Sequence, residues 1–596
     1  MKEFIKMTLA VILGLIIMGF VGMMILSGIA GSFAGNSASA PLPKSGILKI
    51  DLSKTIVMEQ EQPGDPLTML QSGETIDIVG ILDAVNAINV AAVDPAIKCI
   101  YLKADGNMTS LATLQEMRIA LDHFRMSGKP VVSYTESPTT GSYYISSVAD
   151  KVWITAHPGA NMSVNGISLQ MTFLRDLLDR LGVNVQLIRH GKYKSAGEMF
   201  VRNSPSPENL EQYEALVSSM WGSLSTDIAA SRGISTERLN EAIDGLELCL
   251  SEDFVKAGLA DEMITREQLK ERLTTLAQVA DFKDVKMVSL KNYAVAKRAP
   301  ILGRKNEIAV IFADGDIVDG NDIQNVAGDR FASVISKVRA DSTVKAVVLR
   351  VNSPGGSVIA SEKIKAELDL LKARKPLIAS YGGYAASGGY WISGCCDKIF
   401  SDAVTLTGSI GVFGMIPDFS KTAKDIAHVG ITSVNSHKHS DMYSLMRPFD
   451  SAEYGYMLRS IEDIYTRFVS IVAGGRSLTA DYVDSIGQGR VWTGADALGK
   501  GLVDEIGTLE DALRYAAAAA GNADVSTWRV MEYPKPQTTM EMLMSSLGQA
   551  PLEDESIFAG TALAPVAGSL LNWYERIKDG RNDYVFARLP LAIEIK

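Results

Sequence analysis

Cysteine and histidine are scarce, four and six in 596 residues. The cysteines, Cys99, Cys249, Cys395 and Cys396, have neither the number nor the spacing of a disulfide framework or a zinc cluster. The histidines form no His-Glu-x-x-His pair. No metal centre and no cofactor is therefore expected. A basic excess is also missing: 58 Lys and Arg stand against 69 Asp and Glu, a net charge of −11, which argues against a nucleic-acid partner. Apolar residues make up 47% and charged residues 21%. Those proportions are close to globular averages and exclude a disordered or fibrous chain.

Charge is absent altogether from Met7 to Ala30, a run of 24 residues. About 20 apolar residues span a bilayer as a helix. Lys2 and Lys6 precede the run and the next charge is Lys44, so the positive-inside rule leaves the N-terminus in the cytoplasm and the rest of the chain outside. The competing reading is a cleaved secretory signal, with Ala38-Ser39-Ala40 as the small-x-small site. Against it, the run exceeds the roughly 7–15 residues of a signal core, and Pro41 would follow the cut directly. The expectation is a single-pass anchor over 1–30 in contact with lipid of the inner (cytoplasmic) membrane, then a tether over 31–45.

The remaining sequence is written twice. Asp94-Pro-Ala-Ile-Lys98 returns as Asp341-Ser-Thr-Val-Lys345, a shift of 247. Gly141-Ser-Tyr-Tyr-Ile-Ser146 returns as Gly388-Gly-Tyr-Trp-Ile-Ser393 at the same shift, and Ala257-Gly-Leu-Ala-Asp-Glu262 as Lys500-Gly-Leu-Val-Asp-Glu505 at 243. A shift so steady over such a length is domain duplication, since solenoid repeats are far shorter. Short apolar runs at 308–312, 346–351 and 377–380 alternate with helical patterns such as 359–373, which implies a mainly parallel α/β sheet in each copy. Long helices are predicted over 207–231 and 451–473, and a helix followed by a strand within both 164–190 and 412–440. The expected domains are 46–300 and 301–510, with 511–596 a C-terminal extension carrying a helix at 509–520 and a strand at 528–533.

The two copies differ where chemistry could sit. Copy two has Asn352-Ser-Pro-Gly-Gly-Ser357 after a strand, and its two glycines allow close backbone approach and amides aimed at an oxyanion. Copy one has Ala104-Asp-Gly-Asn-Met-Thr109 there. Copy two also has Leu406-Thr-Gly-Ser-Ile-Gly411, with Ser409 between glycines, whereas copy one offers at most Ser163. Copy one alone has Tyr193-Lys-Ser-Ala196; copy two has no lysine in that stretch. Such complementary loss is what one composite site shared by two halves would leave. A serine needs a base to become a nucleophile at neutral pH, and a lysine can serve once burial favours its neutral form. Lys194 and its neighbour Lys192 both remain candidates by position. Ser387, in Ala385-Ala-Ser-Gly-Gly389, is a second candidate nucleophile resembling that of the Clp protease proteolytic subunit. The next histidine is His428, too distant to match, and Ser387 is expected to pack.

Together Tyr193-Lys-Ser-Ala196, Asn352–Ser357, Tyr384–Ser393, Leu406–Gly414 and Gly489–Gly507 resemble the signal peptide peptidase A (protease IV) family in its long, duplicated form. The resemblance covers about residues 1–510. It implies a Clp/crotonase-like fold in each half and a serine endopeptidase that degrades signal-peptide remnants. Ser409 would be the nucleophile, Lys194 the general base, and Gly355 and Gly356 the oxyanion loop. It also implies a further serine orienting the lysine, with Ser433 or Ser436 as candidates, and a homotetramer. The alternatives are a crotonase-like acyl-CoA enzyme and an inactive membrane scaffold.

Overall fold

The computed structural model describes residues 42–61, 76–298, 303–536 and 585–588. The apolar run at 7–30 lies outside the described residues, as does most of the chain after 536. Among the described residues no helix is long and apolar enough to cross a membrane.

Two sheets, parallel except for the antiparallel pair Leu406–Gly408 with Val491–Thr493, carry the duplication. In the first half the strands run in the order Glu262–Ile264, Lys151–Thr155, Val131–Thr135, Ile97–Lys103, Gly46–Asp51, Met287–Ser289, every neighbouring pair parallel. In the second half the order is Val491–Thr493, Leu406–Gly408, Leu377–Ala386, Val344–Ser353, Glu307–Asp314, Arg529–Tyr533, with Lys398–Ser401 branching from Leu377–Ala386 to Glu505–Ile506. Strands such as Val344–Ser353 are buried along most of their length, with the apolar run Ala346–Leu349 at the centre, because helices cover both faces of a parallel sheet. Ser357 starts the helix Val358–Lys372 by accepting the amide of Ala360, and Ser110 does the same for Leu111–Met126 through Thr113. The duplication runs past the expected boundary at 510. Helix Leu509–Ala519 and strand Arg529–Tyr533 occupy the places that helix Arg266–Leu276 and strand Met287–Ser289 hold in the first half.

The halves are not independent. A single apolar cluster contains Leu121, Tyr144 and Leu224 of the first and Ile378, Val491 and Leu513 of the second. A third, mixed sheet joins them. In it Asn184–His190 pairs antiparallel with Val412–Asp418 over seven residues, from His190 opposite Val412 to Asn184 opposite Asp418. Here one expectation fails. The stretch 164–190 does hold a helix, Arg175–Arg180, and then a strand, but 412–440 begins with a strand, and after a π-helical turn at Thr422–Ile426 residues 427–447 form none. The place beside Val412–Asp418 is already taken by the first half, so the apolar residues that would have made the second copy's strand, Val429, Ile431 and Val434, stand exposed.

A buried ionic cluster fastens the same interface. Arg350, fully buried on Val344–Ser353, binds Glu59 at 2.7 Å and Glu116 at 2.6 Å, both from the first half. It also donates to Ser380 Oγ and the Tyr381 carbonyl. Burial, and then the Glu116 charge, push the Asp402 carboxyl well above its ordinary range. Removing one partner of a buried pair leaves the others uncompensated, which typically costs 3–5 kcal/mol. Arg350→Met should therefore lower unfolding stability by about 3–5 kcal/mol in urea titration; a change under about 1 kcal/mol would show that Glu59 and Glu116 are neutral without it.

Candidate active site

The antiparallel pairing sets the site. His190 ends one strand opposite Val412, which begins the other, so the residues just after 190 lie beside those just before 412. Lys194 and Ser409 meet there. Lys194 Nζ lies 3.0 Å from Ser409 Oγ, 3.2 Å from the Ser409 carbonyl and 2.7 Å from Ser387 Oγ. All three residues are completely buried. Lys192, the rival by position, is exposed.

The lysine loop is held from several sides. Arg189 donates to the Lys194 carbonyl at 2.9 Å and pairs with Glu198 at 3.0 Å. Glu198 in turn accepts from the amide and hydroxyl of Ser206, the N-cap of helix Pro207–Arg232. Burial alone would raise the Glu198 carboxyl, but these hydrogen bonds outweigh it and hold it below the ordinary range. His190 stacks on Tyr465 with ring centroids 3.9 Å apart. From the second half, the turn 488–490 holds both segments: the Gln488 carbonyl accepts from the N–H of Tyr193, next to Lys194, and the Arg490 carbonyl from Ser409 N. Gly489, at φ +81°, lies so close that a Cβ there would sit 2.5 Å from Lys194 Cβ.

Ser409 has φ +50° and Ser387 φ +55°, a region that L-residues with side chains seldom adopt and that is retained where the surroundings force it. Gly355 and Gly356, at φ +99° and +157°, form the short strand Gly355–Ser357 alongside. The Gly355 amide donates to Ser353 Oγ at 3.2 Å. A Cβ on Gly355 would lie 2.6 Å from Gly388 N, so the Gly355–Gly356 loop is packed directly against the turn that carries Ser387.

Burial is the only cause that shifts Lys194, and it pushes the amine well below its ordinary 10.5. A charged ammonium stripped of water without a countercharge is unfavourable, so the neutral amine is the form this environment favours.

One expectation about the third group is corrected. Ser433 and Ser436 lie on an exposed loop, where Ser436 bonds His437 and Ser440. The serine on the lysine is Ser387, expected to pack. The long strand Leu377–Ala386 ends beside Leu406–Gly408, and the Ser387 amide donates to the Gly408 carbonyl at 2.8 Å. That bond places Ser387 next to Ser409, although 22 residues separate them in sequence. His428 is exposed on the same loop. Gly489 and the Arg189–Glu198 pair also escaped notice; the only sequence signal was the glycine opening Gly489-Arg-Val-Trp-Thr-Gly494.

A positive-φ serine against a buried, charge-starved lysine, on a doubled α/β frame, is the arrangement of a serine-type hydrolase. The chain belongs to peptidase family S49, whose model matches residues 123–280 and 369–523. It is 36% identical over 535 residues to Protease 4 of Salmonella typhi, covering 86% of this chain and 84% of that one. It is 32% identical over 531 residues to Protease 4 of Haemophilus influenzae, covering 85% and 84%, and 30% identical over 473 residues to the chloroplastic serine protease SPPA of Arabidopsis thaliana, covering 77% and 68%. The protein is a serine peptidase.

Displacing a reacting group by about 1 Å can cost about 10²-fold in rate. Gly489→Ala, which pushes on the Lys194 backbone, should lower kcat about 10²-fold while circular dichroism stays unchanged; full activity would mean that the lysine loop yields freely.

Proposed function

We propose that this peptidase is a membrane-anchored endopeptidase in which Ser409 is the nucleophile and Lys194 the general base, acting on signal-peptide remnants. The observation that carries the reading is the fully buried Lys194 amine 3.0 Å from Ser409 Oγ. In its neutral form it accepts the Ser409 proton as Oγ attacks the substrate carbonyl, and the carbonyl oxygen becomes an oxyanion. The Gly355–Gly356 backbone is the candidate donor for that charge; in this structure the Gly355 amide donates to Ser353 Oγ. Lys194 then gives its proton to the leaving amine, so the C–N bond breaks and an acyl-enzyme remains. Water, losing its proton to the same amine, repeats the attack and releases the acid. Ser387 holds the amine in line and is a positioning residue. The apolar run 7–30 as anchor, the extracytoplasmic placement of both halves and a homotetramer belong to the same reading and rest on the sequence and the resemblance.

Two experiments test it. With an apolar fluorogenic peptide, Ser409→Ala and Lys194→Met should each lose at least about 10⁴-fold in kcat/KM; full activity in Ser409→Ala would sink the assignment. Because a base must be unprotonated, kcat/KM should rise with pH as Lys194 loses its proton, with a midpoint well below 10.5. Ser387→Ala should lower kcat more than it changes KM and should move that midpoint, and Ser387→Thr should restore part of both. A kcat loss with the midpoint unmoved would reduce Ser387 to a packing role.

A further inference from the structure

One guanidinium beside the site lies over two aromatic rings, one from each half. Arg490 Cζ is 4.7 Å from the ring centroid of Tyr193, the residue before Lys194, and 4.4 Å from that of Trp492. A cation over an aromatic face is attracted by the ring quadrupole, and a planar guanidinium also stacks on it. Tyr193 belongs to the first half, Arg490 and Trp492 to the second. Glu211, on the first half's helix Pro207–Arg232, closes the group. One of its carboxylate oxygens accepts from Arg490 at 2.8 Å and the other from the Tyr193 hydroxyl at 3.1 Å.

Each ring is tied to a reacting residue. Tyr193 precedes Lys194 directly, and its amide donates to the Gln488 carbonyl. Trp492 pairs with Thr407 in the antiparallel strands and donates its indole N–H to the Ile486 carbonyl at 3.0 Å. A Cβ on Gly408, the residue before Ser409, would lie 3.0 Å from the Trp492 ring atom Cδ1. The Arg490 carbonyl accepts from the Ser409 amide at 2.7 Å. One residue thus has its side chain against the lysine loop and its backbone against the serine.

Holding the halves together does not account for this arrangement. Arg350 and the shared apolar core already do so. The Glu211 side chain is 55% exposed, and an ion pair so accessible to water contributes little stability. The stack, unlike the ion pair, fixes both a distance and a plane. We propose that Arg490 is a positioning residue for the peptidase reaction: its guanidinium, held against Tyr193 and Trp492, sets the Lys194 loop at its distance from Ser409. This rests on the Ser409–Lys194 reading above.

With the full-length enzyme and a fluorogenic peptide, Arg490→Met should lower kcat about 10- to 10²-fold, as a displaced base does, and change KM far less. It should also raise the pH midpoint of kcat/KM, because a slack loop admits water that favours the Lys194 ammonium. Arg490→Lys, which keeps the charge and loses the planar stack, should restore only part of both. Tyr193→Leu should reproduce both effects, and Tyr193→Phe, which keeps the ring, should restore most of each. The Arg490→Met, Tyr193→Leu double variant should be no slower than the slower single variant, since both cut one link. Unchanged kcat and midpoint in Arg490→Met, with a lowered melting temperature, would overturn the proposal by reducing Arg490 to an interface fastener. Additive losses in the double variant, or equal losses in Tyr193→Leu and Tyr193→Phe, would overturn it too; the Tyr193 pair decides even where Arg490→Met does not fold. The rate at which a fluorophosphonate probe labels Ser409, located by mass spectrometry, separates the two readings. Absence of label on Ser409 in the wild type would sink the dyad, whereas labelling at equal rates in the wild type and Arg490→Met would sink the positioning role alone.

Discussion

Everything at the reacting centre hangs on the antiparallel pairing of Asn184–His190 with Val412–Asp418. A strand register has a period of two, so a slip by one residue turns every side chain to the opposite face. With His190 fixed opposite Val412, the four residues to Lys194 and the three back to Ser409 span the same short gap. The Arg350 cluster and the shared apolar core hold the halves at the spacing this register demands. The turn at 488–490, with hydrogen bonds to both Tyr193 and Ser409, removes the remaining freedom.

A second constraint is electrostatic. Lys194 is stripped of water, and burial alone shifts its titration. Its nearest partners are two hydroxyls and a carbonyl, none of which carries a countercharge to repay the lost hydration of an ammonium. The contrast with Arg350 is instructive: that residue is equally buried, but two carboxylates hold its charge in place. The same chain thus buries one cation as a fastener and one amine without a countercharge, and the difference lies in what each was given as a neighbour.

Much of this was legible in the sequence. The duplication pointed to a mainly parallel α/β sheet in each half, and the unequal losses between copies pointed to Lys194 and Ser409 before any distance was known. What stayed hidden depended on contacts between distant segments. Ser387 sits in a turn that packs in most proteins, and only the bond from its amide to the Gly408 carbonyl brings it to the lysine. Gly489 looks like any turn glycine until the Lys194 backbone is placed against it. The strand expected after a helix within 412–440 is missing because its edge had been claimed by the other half, a competition that local periodicity does not record. The boundary at 510 was drawn where family motifs stop, whereas the sheet continues to Tyr533.

The division of the site between the halves has a bearing on how such a chain can be made safely. Neither half holds both the serine and the lysine, and the lysine is desolvated only when the other half closes over it. A chain still emerging, or one with a single half folded, has a solvated ammonium and an isolated hydroxyl. On the proposed pairing of Ser409 with Lys194, proteolytic competence arrives with the last step of assembly, so the enzyme does not attack its neighbours, or itself, before it is finished.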